Sequence, residues 1–101
     1  MKYSLELDDA ARFDLLEAAS FYQESSVDLS ERFIVCTEKF FVQISYAPLI
    51  FQKIYRNVRK VNMGKFPYHI YYEVNKNNIS VIAILHEKRS PKVWKNRATK
   101  H

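Results

Sequence analysis

Between Tyr68 and Leu85 two runs of alternating residues face each other across Asn75-Lys76-Asn77-Asn78. Such a hairpin commits the chain to a sheet. Tyr68, Ile70, Tyr72 and Val74 fall on one side of the first run; His69, Tyr71 and Glu73 fall on the other. In the second run Ile79, Val81, Ala83 and Leu85 alternate with Ser80, Ile82, Ile84 and His86. Both sides of that run are largely apolar, which predicts a central strand. The Asn-rich tract reads as the turn, because Asn tolerates positive φ. A further strand is predicted within Tyr55–Met63, closed by the turn signal Gly64-Lys65-Phe66-Pro67. Tyr3–Leu7 alternates as well, as a short half-buried strand does.

Between that first strand and the later ones the period changes. Asp8 and Asp9 offer an N-cap, and Ala11, Leu15, Ala18 and Tyr22 recur at helical spacing up to about Gln23. Gln23-Glu24-Ser25-Ser26 breaks the helix. A second one begins near Asp28 or Ser30, with Phe33, Thr37, Phe40, Phe41 and Ile44 as its apolar stripe. It ends before Pro48, which disfavours helix in the preceding residue. The short link predicts an antiparallel helical hairpin. The fold class is therefore α+β: β-α-α-β-β-β, with the hairpin packed on a small, mostly antiparallel sheet. Pro91–Arg97 adds a short C-terminal helix or tail, and residues 1–101 read as one domain.

Several classes of function drop out. A single glycine, Gly64, rules out the phosphate-cradling loops that need several. His69, His86, His101 and the lone Cys36 lack metal-ligand spacing, so no metal or cofactor is expected. Cys36 reads as a small buried hydrophobe without a disulfide partner. No apolar run approaches the roughly 20 residues of a membrane span, and the N-terminus has no signal-peptide core. A cytoplasmic protein without a membrane role is expected. Charge is divided unevenly. Residues 1–50 carry 4 Lys/Arg and 9 Asp/Glu (net −5), and residues 51–101 carry 12 and 2 (net +10). One face is thus suited to an anionic partner.

The order strand, helical hairpin, meander and basic tail resembles the RelE/ParE superfamily of type II toxin–antitoxin toxins. The resemblance rests on Ala10-Ala11-Arg12-Phe13-Asp14, Phe21-Tyr22, Phe33 and Pro48-Leu49-Ile50-Phe51. It continues through Val58-Arg59, Phe66-Pro67-Tyr68-His69-Ile70-Tyr71-Tyr72, and His86-Glu87-Lys88-Arg89-Ser90-Pro91-Lys92-Val93-Trp94 with Arg97. It implies a toxin of a plasmid-stabilisation system. ParE-like members poison DNA gyrase, and RelE-like members cut mRNA on the ribosome. Either kind is held in a hetero-oligomer by a cognate antitoxin, often acidic in its toxin-binding segment. The motif from Phe66 to Trp94 looks closer to ParE-like members.

Candidate site residues follow from both readings. RNA cleavage without a metal needs a base, an acid and cations around the phosphate. His86, Arg89 and Arg59 are the catalytic candidates, and His69 could act near them. Nuclease members, however, typically place tyrosine where Trp94 stands, and an indole cannot exchange a proton in this role. The contact reading uses Arg59, Lys60, Lys88, Arg89, Trp94 and Arg97, along a basic tail that runs through Lys92 and Lys95 to Lys100. Each has a plainer reading. His86 suits a structural histidine, the arginines suit solvated surface groups, and Trp94 either packs the tail onto the sheet or serves a partner as an exposed hot spot. A degenerate toxin that only binds antitoxin is the third possibility.

Overall fold

The computed structural model describes residues 3–99. In order the elements are β1 (Ser4–Leu7), α1 (Asp9–Gln23), α2 (Val27–Tyr46), β2 (Lys53–Tyr55), β3 (Val58–Asn62), β4 (Tyr68–Asn75), β5 (Asn78–His86) and α3 (Pro91–Arg97). The five strands form one sheet in the order β1-β5-β4-β3-β2. β1 runs parallel to β5, and every other neighbouring pair is antiparallel. The expected α+β arrangement holds, with two differences in the strands.

First, the region after the hairpin holds four strands, not three. β2 and β3 pair Tyr55 with Val58 across Arg56-Asn57, and Arg56 takes φ 51°. A two-residue hairpin demands a left-handed residue there, although an L side chain in that conformation costs about 1 kcal/mol. The same holds between β4 and β5, where Lys76 (φ 57°), not an asparagine, takes the positive φ between the paired Asn75 and Asn78.

Second, a bulge interrupts β5. Tyr72 pairs with Val81 but Tyr71 pairs with Ala83, so Ile82 is the extra residue. Beyond it the alternation is inverted. Ala83 and Leu85 leave the side occupied by Ile79 and Val81, and Ile84 takes their place. β5 is an inner strand as expected, while β4 is the middle of the five.

The main core lies between the hairpin and one face of the sheet. Phe33, Ile44, Ala11 and Ala18 pack there on Val61, Ile70, Tyr72, Ile79 and Ile84. Aromatic edges knit it together: Phe33 meets Phe66 and Tyr68 with ring centroids 5.2 Å apart in each case. α1 and α2 are joined by a buried Ser30 hydroxyl that donates to the Ala19 carbonyl at 2.8 Å. α2 begins one residue ahead of Asp28, because Ser26 caps it by accepting from the Leu29 amide. Cys36 is half-buried, not fully buried. The opposite face carries a smaller core of Val58, Tyr71, Ile82, Ala83 and Leu85 under Trp94 and Ala98. No helix among the described residues is long and apolar enough to cross a membrane.

Candidate functional site

Alternation along β3 separates two neighbouring candidates. Arg59 pairs with Tyr72, whose side chain is on the hairpin face, and Lys60 with Tyr71, whose side chain is on the other. Arg59 is occupied: its Nη1 donates to the Phe51 carbonyl at 2.7 Å and the Leu49 carbonyl at 3.2 Å. The Tyr72 hydroxyl donates to the Pro48 carbonyl of the same loop. Burial pushes the Tyr72 phenol up to about 12, against the opposing charge of Arg59. Together the two side chains fix the segment that leads from α2 into the sheet.

The C-terminal candidates are also divided. Trp94 is 7% exposed, stacked on Tyr71 with centroids 5.0 Å apart. It packs α3 onto the sheet, so the exposed hot-spot reading does not hold. Arg97 turns back into the fold. It donates to the Asp14 carboxylate at 2.5 and 3.3 Å, and to the Ile82 carbonyl at 3.0 Å. Asp14 also accepts the Ile84 amide at 3.1 Å. The reason is local. β1 stops opposite Val81, so the edge of β5 beyond it lacks a strand partner. The Asp14–Arg97 pair fills that edge with one acceptor and one donor. At the end of the described chain, the Thr99 amide and hydroxyl donate to Glu73 at 2.8 and 2.7 Å.

The surface candidates gather where β5 ends. Lys88 and Arg89 are exposed on the turn that leads to α3. That turn is anchored: the Glu87 amide donates to the Pro67 carbonyl at 2.8 Å and the Arg89 amide to the His86 carbonyl at 2.9 Å. Ser90 caps α3 by accepting from the Lys92 amide, with Pro91 in the first turn. His86 lies half-buried with its ring 5.4 Å from Tyr68, and its Nδ1 accepts the Lys88 amide at 3.1 Å. A neutral His86 therefore carries its proton on Nε2. His69 is buried, with Nδ1 3.4 Å from the Tyr71 hydroxyl. Burial lowers its pKa, the positive charge of Lys60 lowers it further, Glu87 pulls it back up, and His86 lowers it again. Lys60, Glu87 and His86 thus all act on the buried His69 ring.

Of the proposed residues, then, His86, Lys88 and Arg89 collect where β5 ends, Lys60 stands mid-strand on the Tyr71 face of β3, and Arg59, Trp94 and Arg97 are engaged in holding the fold. Lys92 and Lys95 are exposed on α3, and Lys95 lies 5.2 Å from the Tyr55 ring centroid. Lys100 and His101 lie outside the described residues. Among the described residues no group of three His, Cys, Asp or Glu side chains is placed to hold a metal ion. The sequence reading did not single out Asp14 or the Glu73–Thr99 contact. Asp14 had a signal: it lies on the apolar face of α1, three residues after Ala11 and four before Ala18, where a carboxylate requires a partner.

The fold is shared with toxin–antitoxin proteins. A chain of the chromosomal ParDE toxin–antitoxin system of P. aeruginosa superposes with a TM-score of 0.63 at 15% identity, covering 84% of this chain and 96% of that one. A chain of the RelBE2 toxin–antitoxin complex of Mycobacterium tuberculosis gives 0.65 at 18% identity, covering 85% and 99%. No curated protein matches the sequence. The family of ParE toxins of the parDE type II toxin–antitoxin system matches residues 5–91, across both helices and all five strands up to the start of α3, and this chain belongs to it.

Proposed function

We propose that residues 1–101 form one toxin domain that inhibits growth by protein contact, holding DNA gyrase in a non-productive state, as part of a plasmid-stabilisation system. A cognate antitoxin neutralises it, and both act in the cytoplasm. The observation that carries this reading is the exposed Lys88-Arg89 turn, anchored through the Glu87 and Arg89 amides, together with the engagement of Arg59, one of the cations that the nuclease reading needs. Arg59 spends its Nη1 on the Leu49 and Phe51 carbonyls, and Trp94 stands where nuclease members place tyrosine. A contact surface needs only shape and charge.

The nearness of His69, Lys60 and His86 supports a second reading, ribosome-dependent mRNA cleavage. Burial keeps His69 neutral at lower pH than usual, so it would be available as a base. Induction in cells separates the readings. Growth arrest with intact mRNA in primer extension, and altered DNA supercoiling, is the expected result. Cuts that vanish in His86→Ala/Arg89→Ala would make the chain a ribonuclease. Harmless expression would leave a degenerate toxin that only binds its antitoxin.

A further inference from the structure

The side of the sheet that α3 covers carries cations without partners. Lys92 and Lys95 are exposed on α3, Lys88 and Arg89 on the turn that leads into it, and Arg56 on the turn between β2 and β3. Lys60 is half-buried on the same side, paired with Tyr71. The Arg56 guanidinium lies 4.9 Å and the Lys95 ammonium 5.2 Å from the centre of one ring, Tyr55, so turn and helix present their charges together. Among the described residues the ion pairs are Asp28–Arg32 and Asp14–Arg97, and none of these cations has a carboxylate in reach. Asp14 is taken by Arg97, and Glu73 by Thr99. The exposed carboxylates lie at the borders: Glu87 beside Lys88, and Glu6, Asp8 and Asp9 at the end where Asp8 nears Glu73. Like charges crowded in this way repel one another and are relieved by an anion.

What the face lacks identifies that anion. Among the described residues, every exposed large apolar side chain lies between Phe13 and Ile50, in the hairpin and the loop after it. A protein docked on α3 would therefore find charge but no apolar anchor. The rings of this face are already engaged: Trp94 stacks on Tyr71, and two cations lie over Tyr55. A single strand, which stacks its bases on bare rings, gains little here. The remaining ligand presents phosphates and keeps its bases inside. We propose that the α3 face binds the phosphate backbone of duplex DNA, without regard to sequence. Arg56, Lys60, Arg89, Lys92 and Lys95 make the contacts, each a donor to phosphate oxygen. This goes beyond the gyrase reading and stands without it; where gyrase is the target, the same face would meet the DNA that the enzyme holds.

The test is the fluorescence anisotropy of a labelled duplex of mixed sequence, titrated with the purified chain over a salt series. About four to five phosphate contacts give a slope of log K against log salt near −4. Lys92→Gln/Lys95→Gln should reduce the slope by about 2 and weaken binding at low salt by about tenfold or more. Lys39→Gln/Lys76→Gln removes the same charge from α2 and the β4–β5 turn and should leave the slope unchanged. All four lysines are exposed, so both variants should melt as the wild type does. No binding of the duplex by the wild-type chain at low salt would overturn the proposal. So would an equal loss in both variants, or tighter binding of a single strand or of duplex RNA. Supercoiling in cells tests the gyrase reading separately, so either can fail alone.

Discussion

The two faces of the sheet are covered by different means. On one face, α1 and α2 span 15 and 20 residues and bury a continuous aromatic and aliphatic core. On the other, α3 has seven residues, of which only Trp94 is buried. Such a helix is too short to be stable through propensity. It is held by one stacked aromatic pair and by two carboxylates, Asp14 and Glu73, that accept from Arg97 and Thr99. One layer is stabilised by area and the other by specific polar contacts. Area is lost in proportion to the side chain removed, whereas a polar contact can be lost at one atom.

That contrast can be tested by substitution. Phe33→Ala removes a fully buried ring from the main core and should cost about 3–5 kcal/mol, seen as a large drop in urea midpoint. If it cost under 1 kcal/mol, the hairpin face would not be the stabilising layer. Asp14→Ala should cost about 2–4 kcal/mol, because it leaves Arg97 and the Ile84 amide without their acceptor. Its distinctive sign is local: the chain has a single tryptophan, so release of α3 should red-shift the fluorescence of Trp94. Asp14→Asn keeps an acceptor for Ile84 and should fall between the wild type and Asp14→Ala. An unshifted spectrum in Asp14→Ala would mean that stacking alone holds α3. The smallest effect concerns pH. His69 has a folded-state pKa below its unfolded value, because burial and Lys60 disfavour the charged form. The unfolded chain therefore binds more protons as pH falls through the unfolded pKa of about 6.5, and stability drops on that acid side. His69→Gln should flatten that decline in a pH series of thermal melts. An unaltered series would assign it to other groups.

The same contrast explains which parts of the fold could be read in advance. The area-based layer follows from local patterns: the stripe Phe33, Thr37, Phe40, Ile44 at helical spacing, and Tyr68 to Val74 alternating along one strand. Its sequence signal is repeated over many residues, so one exception does not hide it. The bulge at Ile82 has no such signal, since no glycine marks it and both sides of β5 are apolar. The left-handed turns at Arg56 and Lys76 are imposed by strand pairing, against local preference. For the candidate site, the cluster at the end of β5 was within reach because His86, Lys88 and Arg89 are close in sequence. The engagement of Arg97 by Asp14 was not, because the two are separated by 83 positions. A cation in a basic tail looks free until the fold brings up its carboxylate.

The short β1 has a consequence for solubility. Ending at Leu7, it would leave the outer rim of β5 open from Ile82 onward, and an open rim recruits strands from neighbouring molecules. A side-chain carboxylate and guanidinium occupy the Ile84 amide and the Ile82 carbonyl there. The far rim is β2, three residues long, with an irregular register and Lys53 at its start. Neither rim offers a long ladder of unpaired backbone. The sheet is protected against growing into aggregates of itself, even when no partner covers it.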